Sequence, residues 1–143
     1  MNKKNVYGLL CDRRQIMSAI NPKILIVEDE NIIAFDIRVM LEDLGYMVSA
    51  IVSSGEESIK KASKIRPDLV LMDIKLKGNL DGVSAGKEIF KQFHIPIVYL
   101  TAYSDQATIK RINNQKNGNS PTVINKPFDQ GELQTVISST LAH

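Results

Sequence analysis

A chain of 143 residues can bury one proper core and is too short for two ordinary domains. Its composition, 43% hydrophobic and 24% charged, is that of a globular protein, and no run approaches the roughly eighteen apolar residues of a membrane-spanning helix. Net charge is +2, but residues 1–23 alone hold +4, so residues 24–143 are slightly acidic and lack the clustered Lys and Arg that nucleic-acid binding requires.

Residues 1–22 show no coherent period and end in Asn21-Pro22, so they are expected to be an N-terminal extension or linker ahead of a domain spanning 23–143. Lys3 and Lys4 precede a short apolar stretch broken by Gly8 and followed at once by Asp12, Arg13 and Arg14, a poor secretory signal. Cys11 is the only cysteine, and His94 and His143 are the only imidazoles, which rules out an internal disulfide and a Cys/His metal cluster. A reducing, cytoplasmic setting fits these features, and Cys11 and His94 are expected to have no chemical role.

From Lys23 onward, short branched apolar runs alternate with segments of helical period, the pattern of a parallel sheet covered on both faces. Strands are predicted at 24–27, 48–52, 69–72, 97–100 and 122–124. Between the first two, Ile33, Ile37, Met40, Leu41 and Leu44 fall at helical spacing, with Gly45 as a C-terminal stop. Ser54 and Glu57 form a capping box before Ile59, Ala62 and Ile65, and Pro67 closes that helix. A third helix is predicted over 83–92. A fourth, capped by Ser104, has only the thin apolar face of Ala107, Ile109 and Ile112, and the loop 113–121 follows. The last begins at Asp129, with Glu132 three residues on, and carries Leu133, Val136, Ile137 and Leu141. Met40, Met47 and Met72 are expected to fill the core, while Lys60, Lys61 and Lys64 mark a solvated helix face.

The polar residues that bear chemistry stand where strands end. Glu28 and Asp29 follow the first strand, Asp73 the third, Thr101 the fourth and Lys126 the fifth. In an open parallel sheet these carboxyl ends share one edge, where such folds bind ligands. Taken singly, each has a plainer reading: the acids begin a helix, Asp73 turns the chain, Thr101 is a β former and Lys126 is a loop lysine. Together they form a constellation. Three crowded carboxylates raise one another's pKa and call for a cation, and a few hard oxygen ligands that leave room for water suit Mg2+. A carboxylate beside that cation and a lysine can attack phosphorus and form an aspartyl phosphate.

The runs Ile24-Leu25-Ile26-Val27-Glu28-Asp29-Glu30, Asp68-Leu69-Val70-Leu71-Met72-Asp73-Ile74, Leu100-Thr101-Ala102 and Asn125-Lys126-Pro127-Phe128 resemble the successive signatures of the response-regulator receiver family. Each is weak alone; in order, with key positions 44, 28 and 25 residues apart, they are specific. The resemblance covers 23–141. It implies a flavodoxin-like doubly wound α/β fold, with five parallel strands in the order 2-1-3-4-5 and five helices in a (βα)5 arrangement. It also implies that Asp73 is the phosphoacceptor and that Asp29 and Asp73 bind Mg2+ directly, with Mn2+ as a substitute. Glu28 would orient a metal-bound water, and the backbone carbonyl of Lys75 would complete the protein's share of the shell. Thr101, Lys126 and the backbone N–H groups of Ile74 and Ala102 would contact the phosphoryl group, and the Lys126-Pro127 bond would be cis. The partners it implies are a sensor histidine kinase or phosphotransfer protein, and a downstream protein or fused output module. It also suggests pairing of two copies through the fourth helix, fifth strand and fifth helix.

Two departures from the family pattern bear on switching and lifetime. Val123 stands where the family usually has an aromatic that turns inward with the threonine, so the output surface is expected to switch less sharply or through Tyr99 or Tyr103. Lys75 and Tyr103 occupy the positions, two after the acceptor and two after the threonine, that in the family flank the path of hydrolytic water, and a bulky Tyr103 is expected to slow loss of the phosphoryl group. The loop after Asp73, through Lys77-Gly78-Asn79-Leu80-Asp81, resembles a version one residue longer than the commonest form. Two other readings stand beside the switch: a Mg2+-dependent aspartyl-nucleophile phosphohydrolase, disfavoured by Lys75 where such enzymes place a second acid, and a pseudo-receiver that binds a partner without phosphorylation.

Overall fold

Strands buried on both faces must be apolar at every position, and the runs at 24–27, 69–72 and 97–100 meet that demand, whereas those at 48–52 and 122–124 form edge strands that are only partly buried. The computed structural model describes residues 21–102, 107, 108, 110 and 121–142. Its strands are β1 (Lys23–Val27), β2 (Met47–Val52), β3 (Leu69–Asp73), β4 (Ile97–Thr101) and β5 (Thr122–Asn125). Helices α1 (Asn31–Asp43), α2 (Gly55–Ile65) and α3 (Gly82–Phe93) connect the first four, and α4 (Gln130–Leu141) follows β5. All neighbouring strands pair in parallel, in the order β2-β1-β3-β4-β5. This is the expected flavodoxin-like order.

The predicted helix capped by Ser104 lies largely outside the described residues; Ala107, Thr108 and Lys110 are helical there. Four complete helices are therefore seen among the described residues, against the five expected. Residues 1–20 of the predicted extension and Tyr103 also lie outside them. Of the extension, Pro22 accepts a hydrogen bond from the Met47 N–H at 3.0 Å, tying the approach to β1 to the start of β2.

Alternation along the strands divides the core in two. Leu25, Val27, Val70, Met72 and Tyr99 face Ala62 of α2 and Val83, Ala85 and Ile89 of α3. Ile24, Ile26, Leu69, Leu71, Val98, Leu100 and Ile124 face Ile37 and Leu41 of α1 and Leu133 and Ile137 of α4. Each fully buried side chain contributes roughly 1.5–3 kcal/mol, so this double layer holds the strand ends in place.

The helix boundaries follow their caps. Ser54 accepts from the Glu57 N–H at 3.2 Å, Asp81 from the Ser84 N–H at 2.8 Å and Asp129 from the Glu132 N–H at 2.8 Å. Arg66 ends α2 in the left-handed region at φ 53° just before Pro67, and its guanidinium lies 4.4 Å from the Phe93 ring centroid.

The loop leaving β3 closes tightly on the strand end. The Gly82 N–H donates to the Ile74 carbonyl at 3.1 Å, and a Cβ at Gly82 would overlap the Asp73 carbonyl oxygen and sit 2.9 Å from Asp73 C and Ile74 Cα. Those neighbours are backbone and cannot swing away. Gly82→Ala is therefore expected to destabilise the fold by about 1–3 kcal/mol or more, read as a lower denaturation midpoint. An unchanged midpoint would contradict this packing.

Candidate functional site

Asp73 and Thr101 are the last residues of β3 and β4, and Glu28, Asp29 and Lys126 come directly after β1 and β5. The sequence placed Asp73 and Thr101 one step past their strands; pairing of Asp73 with Leu100 and of Thr101 with Asn125 extends the ladder to include them. Strand ends held by ladder bonds fix backbone position better than a loop would. The Glu28 N–H donates to the Val52 carbonyl at 3.0 Å and the Lys126 N–H to the Thr101 carbonyl at 2.7 Å.

The side chains converge. Glu28, Asp29 and Asp73 each offer a carboxylate oxygen, and these oxygens all lie within 4.8 Å of one another. Lys126 Nζ lies 3.2 Å from Glu28 Oε2 and 3.5 Å from Asp73 Oδ1. The Lys126-Pro127 peptide bond is cis. Glu28 Oε1 accepts from the Glu30 N–H at 3.2 Å, and Asp73 Oδ1 from the Lys75 N–H at 3.3 Å. Glu28 is 2% exposed and Asp73 6%, while Asp29 is half-buried at the rim of an open cleft it shares with Lys75, Lys77 and Asp81.

Thr101 is fully buried, and its hydroxyl donates to Asn125 Oδ1 at 2.9 Å. The Ile74 N–H, expected to face a phosphoryl group, donates to the Leu100 carbonyl at 3.1 Å; to contact a ligand it must exchange that bond. Ala102 follows Thr101 at the same edge, half-buried, and Pro127 is exposed. Val123 is half-buried beside its register partner Tyr99, whose hydroxyl donates to the Val83 carbonyl at 3.5 Å beneath α3. A Cβ at Gly86 would collide with that hydroxyl and lie 2.9 Å from the ring. Tyr99 is thus packed in the core beneath α3. Asn125 was not singled out in the sequence; its position opposite Thr101 becomes visible only once β4 and β5 are paired.

Burial first, and then the Asp73 charge, push the Glu28 carboxyl up to about 7, against the pull of the Glu30 N–H and Lys126. Burial also raises Asp73, opposed by Lys126. Burial alone would lower Lys126, but the charges of Asp73 and Glu28 hold its ammonium above the ordinary value. The site therefore carries more negative charge than one lysine balances, and its donors are all hard oxygens. Those two properties fit a divalent cation of the Mg2+ class, which Glu28, Asp29 and Asp73 could hold.

A carboxyl whose folded pKa is raised binds more protons folded than unfolded, so its contribution to stability falls as pH rises through that window. For Glu28 the window runs from its ordinary 4.5 to about 7. In a chelator, the melting temperature is expected to fall between about pH 5 and about pH 8, and Mg2+ is expected to restore it at the upper end by binding only the folded site. A flat or rising profile in chelator would contradict this electrostatic picture.

The family model described as the response regulator receiver domain matches residues 24–138. The phyllosphere-induced regulator PhyR of Methylorubrum extorquens is 33% identical over 129 residues, 90% of this chain and 46% of that protein. The transcriptional regulatory protein PdtaR of Mycobacterium tuberculosis is 34% identical over 116 residues, 81% of this chain and 55% of that protein. The chain thus spans about half the length of these curated relatives. Among solved structures, the receiver domain of the sensor histidine kinase PA1611 from Pseudomonas aeruginosa, which has a magnesium ion coordinated in its active-site cleft, superposes with a TM-score of 0.73. It is 33% identical, and the match covers 86% of this chain and 99% of that one. The Erythrobacter litoralis PhyR receiver domain gives 0.73 at 27% identity, covering 85% of this chain and 91% of that one. The family model covers most of the chain, the strand order is the one expected of that family, and the chain belongs to the response regulator receiver domain family.

Proposed function

We propose that Asp73 accepts a phosphoryl group, in a Mg2+-dependent reaction, from a histidine kinase or phosphotransfer protein, and that the modified domain presents a changed surface to a downstream partner or fused output module. The observation that carries this reading is the three-carboxylate cluster with the Lys126 ammonium on Glu28 and Asp73.

An Asp73 carboxylate oxygen would form the new bond to phosphorus as the bond to the donor's imidazole nitrogen breaks, its electron pair leaving with the imidazole. Lys126 stands where its ammonium can move from the free carboxylate to a phosphoryl oxygen, and Thr101 supplies a hydroxyl donor. When bound, Mg2+ would neutralise the carboxylates and the charge on the transferred group. Glu28 and Asp29 would be the other residues to hold it, their carboxylate oxygens lying within 4.8 Å of one another and of Asp73. On this reading the chain catalyses only its own phosphorylation and dephosphorylation. Residues 1–22 act as an extension to a domain spanning 23–143, and Tyr103 slows hydrolysis. Neither membrane nor nucleic acid is proposed as a direct partner. Among the described residues no helix is long and apolar enough to cross a membrane.

Incubation with acetyl phosphate and Mg2+, followed by intact mass, tests the proposal. Gain of one stable phosphoryl group per chain supports it. Catalytic release of phosphate with no adduct points to a hydrolase, and no reaction leaves a phosphorylation-independent binding module.

A further inference from the structure

We propose that Asn125 is a positioning residue that retains the Thr101 hydroxyl in the unphosphorylated chain, so that phosphorylation exchanges a Thr101–Asn125 hydrogen bond for a Thr101–phosphoryl one. The inference rests on the phosphoacceptor reading above and names the element through which Thr101 reports.

Thr101 and Asn125 are register partners at the last rung of the β4–β5 ladder, which sets their side chains next to each other. The hydroxyl carries one proton, and at rest that proton is committed to Asn125 Oδ1 at 2.9 Å. Thr101 is fully buried, so without this acceptor its donor would be left unpaired at a cost. A phosphoryl oxygen on Asp73 would compete for the same proton as a charged, stronger acceptor. Thr101 cannot serve both.

Asn125 differs from Thr101 in being exposed. It lines an open groove along β5 and α4 with Val123, Glu132, Thr135 and Val136. Losing the Thr101 proton frees its amide to re-pair within that groove and alters the donors and acceptors displayed there. Position 123 bears no aromatic ring, and Tyr99 is buried beneath α3. The polar exchange at Asn125 therefore gives the β5–α4 surface a route to sense Thr101 that needs no ring movement.

Beryllofluoride, a phosphoryl mimic, provides the test when titrated with Mg2+ into the full chain and into Asn125→Ala, Thr101→Ala and the double variant. Removing the competing acceptor should tighten beryllofluoride binding about two- to tenfold, the scale of one net hydrogen bond, and the gain should vanish in the Thr101→Ala background. Unchanged or weaker binding by Asn125→Ala, or an equal gain without Thr101, overturns the exchange. A second readout needs no variant: the Asn125 side-chain amide resonances of the native chain should shift on saturation, and fixed resonances count against the proposal. Failure of the native chain to bind beryllofluoride would sink the phosphoacceptor reading itself, whereas equal binding by native chain and Asn125→Ala removes only the role of Asn125.

Discussion

Asp73→Asn is expected to abolish phosphoryl uptake from acetyl phosphate and, at the same time, to raise the melting temperature of the metal-free chain. The two effects have one cause. An amide oxygen is far too weak a nucleophile to displace a phosphoryl donor, so the adduct is lost completely. The same substitution nearly conserves shape while deleting one of the charges that hold Glu28 at about 7. Lys126 then faces Glu28 alone, 3.2 Å away, as a balanced pair. Relief of like-charge crowding among groups this buried is worth about 1–2 kcal/mol, or about 3–7 °C for a domain of this size. Function and stability should therefore move in opposite directions, as expected where a site stores electrostatic strain. Intact mass and calorimetry in chelator check the two halves. An adduct that survives the substitution would place the acceptor elsewhere, and a lowered melting temperature would mean the carboxylates are not strained.

Much of this site could be read from the linear sequence because its chemistry sits at strand ends, and strand ends are visible where a branched run stops at a polar residue. Glu28, Asp73, Thr101 and Lys126 were found in that way, and parallel topology brings such ends to one edge. Hydrogen-bond partners across strands were harder to see, since register emerges only when the order of the sheet is known. The Thr101–Asn125 bond and the commitment of the Ile74 N–H to Leu100 both belong to this class. Burial was misjudged for a related reason: Met47, expected in the core, is 37% exposed because β2 is an edge strand. Apolar content alone does not distinguish an edge strand from a central one. A core on each face of the sheet was expected, but which face each strand residue takes was hidden, because strands apolar at every position mask their own period of two.

Lys126→Ala should give the converse of Asp73→Asn in stability and the same sign in function. Its ammonium is the only cation among the described residues that forms an ion pair with Glu28 or Asp73, and both acids are almost inaccessible to water. Stripping one partner from a fully buried ion pair costs about 3–5 kcal/mol when the remaining charge has no escape. Here the escape is protonation, since Glu28 already titrates at about 7. The penalty should accordingly be pH-dependent: small at about pH 6, where a proton replaces the lysine, and about 1–3 kcal/mol at about pH 8, where it must come from dilute solution. Mg2+ should recover most of that loss by supplying the missing positive charge. It should not recover the reaction, because the lysine's second task is to meet a phosphoryl oxygen on Asp73. Removal of one such preorganised donor lowers rates by about 10²–10³. Thermal denaturation at the two pH values with and without Mg2+, set beside the rate of acetyl phosphate labelling, separates these roles. Equal stability of native and variant chains at the higher pH would refute the ion-pair argument, and an unchanged labelling rate would remove Lys126 from the transfer step.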